Sequence, residues 1–201
     1  MDSLQGRTAD AHADVSGDTA TAILDAALAE VLAHGIRRTS MVDIARRSGV
    51  ARQTVYRYWP DASSLFASLV TREVVAVVPT RTDVASADEL AVALVDAADR
   101  IRRLEIVRRL RDTDPELFSR YILERLGTSQ RVILAAVAAQ VAAGQAAGYV
   151  RRGDPGAIAA MLLLVLQSAV QSEPLVREWL DDASWRRELT AAVRGLLDIA
   201  P

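Results

Sequence analysis

Apolar side chains recur three and four residues apart along most of this chain, and little interrupts the pattern. Ile23, Ala27, Leu28, Val31 and Leu32 set the spacing in the first clear stretch, and Gly35 ends it. Across 201 residues there are only 10 Gly and 6 Pro. A β-sandwich or barrel needs a turn about every 8–12 residues, and this chain lacks the residues to make them. The spacing predicts an all-α fold.

Punctuation divides the pattern into helices. Asp18 or Thr19 can cap the first. Ser40 can cap a short second one, with Asp43 three residues on in a variant of the capping box. Ser48-Gly49 ends it, and a third covers about 52–59. Asp61 can cap a fourth through Leu65, Phe66, Leu69 and Val70 toward position 78. PTRTDVAS reads as a joint. Four helical stretches follow over 88–111, 116–148, 155–172 and 184–197, the first open to a break and the second to one near Gly127.

Residues 1–17 lack the cationic start and apolar core of a signal peptide. They are expected to form a disordered acidic tail. The apolar run at 157–166 is shorter than the roughly 20 residues that cross a bilayer. The expected location is the cytoplasm.

Several chemistries are excluded. There is no Cys and no Lys, so all 24 basic residues are Arg. Disulfides, thiolate metal sites, a P-loop lysine and a Schiff-base lysine are ruled out. His12 and His34 stand alone, without a second ligand at metal spacing. No catalytic residue, metal or cofactor is expected.

The two short helices carry the functional signal. Ala45 lies where they would cross and permits a close approach. Gly49 supplies the positive φ of a tight turn, and Val50 and Val55 plug the corner. This is the pattern of a helix-turn-helix. On the second member, Val55, Tyr58 and Trp59 point to the core. Arg52, Gln53, Thr54, Tyr56 and Arg57 form the exposed arc, with groups suited to base edges and phosphates. Over 36–58, six arginines face the single acid Asp43, a local charge of +5 in a chain of net −2. Local charge governs phosphate binding, so double-stranded DNA is the expected partner.

The stretch ILDAALAEVLAHGIRRTSMVDIARRSGVARQTVYRYWPDASSLF, within 19–70, resembles the N-terminal domain of the tetracycline-repressor (TetR) family of bacterial regulators. The resemblance implies a DNA-binding domain at 18–62, a connecting helix at about 62–78, and a helical ligand-binding and dimerisation domain at 79–201. It implies that Thr39 and Ser40 contact phosphate and that Arg52 and Gln53 read bases. Thr54, Tyr56 and Tyr58 would touch backbone or thymine methyls, and Arg57 either. Three positions depart from the family pattern. Ala51 replaces the Ser or Thr that caps the recognition helix, Ala62 replaces a phosphate-pairing Lys, and Trp59 replaces Phe.

In the second domain, AIAAMLLLVLQSAV is apolar on nearly every face and calls for burial on all sides. The resemblance implies that the last two long helices pair with their copies in a homodimer. Two recognition helices about 34 Å apart would then meet a palindromic operator. Trp179 and Trp185 either anchor that interface or fill the monomer core. For a small-molecule pocket, the candidates are Tyr121, Gln140, Met161 and Gln167, polar or soft residues within apolar helices. RIRRLEIVRRLRD reads mainly as a solvated amphipathic helix that could lie near the DNA-binding domain and help relay ligand state, with an anionic-ligand site as the lesser alternative. The expected function is a repressor released by a small-molecule effector. The alternatives are an activator or co-repressor-dependent regulator, or a helix-turn-helix that contacts protein. An enzyme has no supporting motif.

Overall fold

The computed structural model describes residues 5–78, 84–113 and 128–198. Among them it is all-helical, with nine α-helices: α1 Gln5–His34, α2 Met41–Ser48, α3 Arg52–Tyr58, α4 Ala62–Ala76, α5 Ala87–Arg103, α6 Glu105–Thr113, α7 Thr128–Ala147, α8 Pro155–Ser172 and α9 Asp182–Leu197.

Most boundaries are set by local chemistry. The Ser40 hydroxyl accepts the Asp43 N–H at 3.2 Å at the start of α2. Asp61 and Ser64 form a reciprocal capping box on α4, the Ser64 N–H meeting Asp61 Oδ1 at 2.7 Å. Ser86, Asp154 and Asp181 cap α5, α8 and α9, and Pro155 occupies the first turn of α8. Gly35 (φ 81°) and Gly49 (φ 68°) stop α1 and α2 in conformations that L side chains resist.

One boundary differs from the sequence expectation, and a break left open within 88–111 is placed. α1 begins at Gln5 and runs through the segment expected to be an unstructured tail, well before Asp18 and Thr19. Gly6 and Gly17 lie in this stretch, each at a cost of up to about 1 kcal/mol relative to Ala. α5 and α6 are separate helices, joined at Leu104 (ψ 126°) with neither Gly nor Pro at the joint.

Two apolar cores organise the chain. The first gathers Ile23, Val31, Ile44, Val55, Leu65 and Leu69 from α1 to α4. It also takes Ile106, Val107 and Leu110 from α6, which therefore packs against α1, far earlier in sequence. The second gathers Leu90, Val95, Val141, Leu162, Trp185 and Leu197 from α5, α7, α8 and α9. Each fully buried residue of this size contributes roughly 1.5–3 kcal/mol. Of the two tryptophans, Trp185 is buried in the monomer core and Trp179 is exposed.

Pro155–Val176 has the length and composition to cross a membrane, with a mean hydropathy of 1.5 over its richest window. The sequence reading had ended this run at 166. Its Ile158, Ala159, Leu162 and Val170 are buried against α5, α7 and α9. The opposite face is not buried as expected: Met161 and Leu164 are exposed.

A buried charge cluster ties the helices together. Arg102, at the end of α5, donates to Asp99 (2.7 Å) and to Asp182 at the start of α9 (2.9 Å). Glu173 lies 3.7 Å from Arg102 and 3.9 Å from Arg111 of α6, and accepts from Arg177 at 2.7 Å.

Candidate nucleic-acid interface and cavity

α3 is a two-turn helix held from behind. Val55 is completely buried, and Trp59 is buried with its indole N–H donated to Ser68 Oγ at 2.9 Å. This fixes the rotation of the helix. Arg52, Gln53, Tyr56 and Arg57 are consequently exposed, with Thr54 and Tyr58 half-buried at the flanks. The Arg52 guanidinium rests 5.4 Å from the Tyr56 ring centre and that of Arg57 5.7 Å from Tyr58. Among the described residues, no carboxylate pairs with either arginine. Stacking on a ring organises a guanidinium without consuming its donors.

Two other arginines of the +5 stretch are paired with carboxylates. Arg46 pairs with Asp43 at 2.9 Å, and Arg47 with the buried Glu30 at 2.7 Å. The Ser40 hydroxyl bonds to Asp43, which holds the Asp43 carboxyl below its ordinary pKa. Ser40 is exposed at the helix start, where the resemblance places it. Thr39 is not: it is buried, and its hydroxyl is donated to the Gly35 carbonyl at 2.9 Å. It closes the turn before α2 and leaves its side chain largely covered. Ala51 makes no side-chain cap on α3, as its residue type requires.

A cavity of about 130 Å³ lies between α4, α5, α6, α7 and α8. Val70 and Val74 of α4 and Val107 and Leu110 of α6 line it and also belong to the first core. Four glutamines reach it, Gln130 and Gln140 from α7 and Gln167 and Gln171 from α8. Gln130 Nε2 donates to Gln167 Oε1 at 3.1 Å.

Residues 23–69 match the sequence profile of the bacterial regulatory proteins of the tetR family. An HTH-type transcriptional regulator of Mycobacterium bovis is 42% identical over 183 residues, covering 90% of this chain and 95% of that one. The chain belongs to the TetR family. It is a DNA-binding transcriptional regulator, in a family whose members dimerise and bind small molecules. Two solved structures share its fold. RolR in complex with resorcinol superposes with a TM-score of 0.68 at 14% identity, over 93% of this chain and 91% of that one. FadR of Bacillus subtilis in complex with stearoyl-CoA gives 0.59 at 18%, over 88% and 98%.

Of the sequence candidates for a TetR effector pocket, Gln140 and Gln167 line the cavity. Met161 does not: it is 47% exposed on the outer face of α8. A soft residue inside an apolar run fits either face, and its helical phase decides. Tyr121 lies outside the described residues. The sequence reading missed Gln130 and Gln171. Gln171 sits four residues after Gln167 and shares its face, a signal that was present in the sequence.

Proposed function

We propose that this TetR regulator is a homodimeric repressor whose grip on a palindromic operator is released by a small molecule in the cavity. The observation that carries the reading is the shared wall. Val70, Val74, Val107 and Leu110 line the cavity and also pack the core beneath the helix-turn-helix. A ligand that favours a different position of α4 or α6 therefore biases the setting of α3. Only a molecule with unequal affinity for the two settings can do so.

Arg52 and Gln53 read bases, Arg57 and Ser40 hold phosphates, and Thr54, Tyr56 and Tyr58 touch the flanks of the groove. The exposure of Arg52, Gln53, Tyr56 and Arg57 around a buried Val55 supports this assignment. The copies meet through α8 and α9. Met161 and Leu164 form an exposed apolar stripe on α8, three residues apart, and a stripe of that kind is stable when a second copy covers it. The effector is bound and not transformed, and the protein works in the cytoplasm, beside the chromosome. RolR carries resorcinol and FadR stearoyl-CoA in their structures, and the same domain here takes the effector.

Selection of bound duplexes from a random DNA pool, repeated at two salt concentrations, tests the reading. The expected product is an approximate palindrome whose binding weakens steeply with salt. A pool that enriches no sequence would overturn it. Enrichment of single, unpaired half-sites would remove the dimer.

A further inference from the structure

The cavity wall has an unusual composition. Apart from the four glutamines, every described residue lining it is apolar, and none is charged. Beside the lining residues Ala98 and Ile101 of α5, Asp99 and Arg102 are engaged by Arg103, Asp182 and Glu173. An ion entering the cavity would lose its water and find no opposite charge among the described residues that line it, a loss of several kcal/mol per ion.

The polar groups that are present have a definite order. Gln130 is 6% exposed and donates to Gln167 Oε1. Gln167 uses its oxygen in this bond, which leaves its amide NH2, with two donors, for a further acceptor. A few fixed polar groups in an otherwise apolar pocket orient a ligand. The size is also limiting: about 130 Å³ compares with the about 150 Å³ dry cavity that takes up benzene.

We propose that the cavity binds a small uncharged molecule, about one ring in size, with one hydrogen-bond acceptor seated on the Gln130–Gln167 amide pair. This rests on the reading of the cavity as the effector site. It excludes small carboxylates as effectors and selects ketones, esters, phenols and neutral amides of similar bulk.

Calorimetry on the full-length, DNA-free protein at pH 7 compares three molecules of nearly the same shape: isopropylbenzene, acetophenone and benzoate. Acetophenone is expected to bind most tightly, and isopropylbenzene about fivefold more weakly for want of one hydrogen bond. Benzoate is expected to be at least about a hundredfold weaker. Gln167→Leu erases the difference between acetophenone and isopropylbenzene while isopropylbenzene still binds, which also reports that the variant is folded. Benzoate binding as tightly as acetophenone overturns the proposal. So does failure of both neutral compounds to bind, or a Gln167→Leu variant that keeps the acetophenone preference. Because no DNA is present, these outcomes are separate from the operator selection: a protein that binds acetophenone but enriches no duplex loses the repressor reading alone.

Discussion

The Arg102 guanidinium lies 4.5 Å from the centre of the Trp185 ring, so a buried cation of α5 is capped by the first-turn aromatic of α9. The same guanidinium answers the carboxylates of Asp99, Glu173 and Asp182. Removing it strips one cation from the cluster, while Arg103 and Arg186 stay with Asp99 and Arg177 and Arg111 with Glu173. Arg102→Ala is expected to lower unfolding free energy by about 1–3 kcal/mol, read as a lower urea midpoint. A midpoint unchanged from the native protein would show the cluster to be energetically idle.

Acid should dissolve this cluster. At Asp99, burial pushes the carboxyl up, but hydrogen bonds and charge from Arg103 and Arg102 outweigh it and hold the pKa below the ordinary value. Hydrogen bonds from Arg177 hold Glu173 down, and those from Arg102 and Arg103 hold Asp182 down. Near their ordinary values of 3.8 and 4.5 the unfolded chain then binds more protons than the folded one. Stability is full above that range and is lost as pH falls through the lowered folded values. Urea unfolding at pH 7, 4 and 3 should show Asp182→Asn less stable than the native protein at pH 7. The gap between them should narrow as pH falls. Parallel curves would contradict the linkage.

The turn of the helix-turn-helix offers a paired test. Gly49 has φ 68° and open space where a Cβ would lie, so Gly49→Ala should cost about 1–2 kcal/mol through backbone strain alone. Ala51 leaves the start of α3 without a side-chain cap, so Ala51→Ser should gain about 1 kcal/mol. Thermal unfolding of the two variants should move in opposite directions.

Thr39 separates structure from contact. Its buried hydroxyl serves the Gly35 carbonyl. Thr39→Val should cost about 1 kcal/mol of stability and leave the salt dependence of DNA binding unchanged. Arg52→Ala or Gln53→Ala should do the reverse: stability holds, while discrimination at one base pair falls by about 1–3 kcal/mol. Binding to a panel of single-base operator variants reads both. Unchanged preferences in the Arg52 and Gln53 variants would sink their assignment as base readers.

On α8, Leu164 is 60% exposed. Leu164→Glu should weaken self-association about 10–100-fold, the value of burying one leucine, without unfolding the protomer. Sedimentation across a concentration series measures it. An unaltered dimer would move the interface elsewhere.

Much of this was legible because the signals were local. Ser40, Asp61, Gly35 and Gly49 act within four residues of themselves, and each does in three dimensions what its type demands. What escaped depends on distant partners. Thr39 looked like a helix-start hydroxyl, and only the fold of the Gly35 turn buries it. Glu30 is buried against Arg47, seventeen residues on, a pairing that no local pattern announces. The membership of α6 in the first core reflects tertiary packing that no local pattern encodes. Met161 and Gln167 were equal candidates in one dimension because both interrupt an apolar run, and a turn of the helix sends one outward and the other inward.

The double membership of Val70, Val74, Val107 and Leu110 restricts how this sensor can diversify. Reshaping any of them to admit a new compound also perturbs the scaffold under the recognition helix, so selectivity and operator affinity drift together at these sites. Ala136, Gln140, Leu163 and Gln171 border the same space without joining that scaffold. They are the positions where chemical taste can change while the reading of the chromosome stays intact, and a biosensor library belongs there.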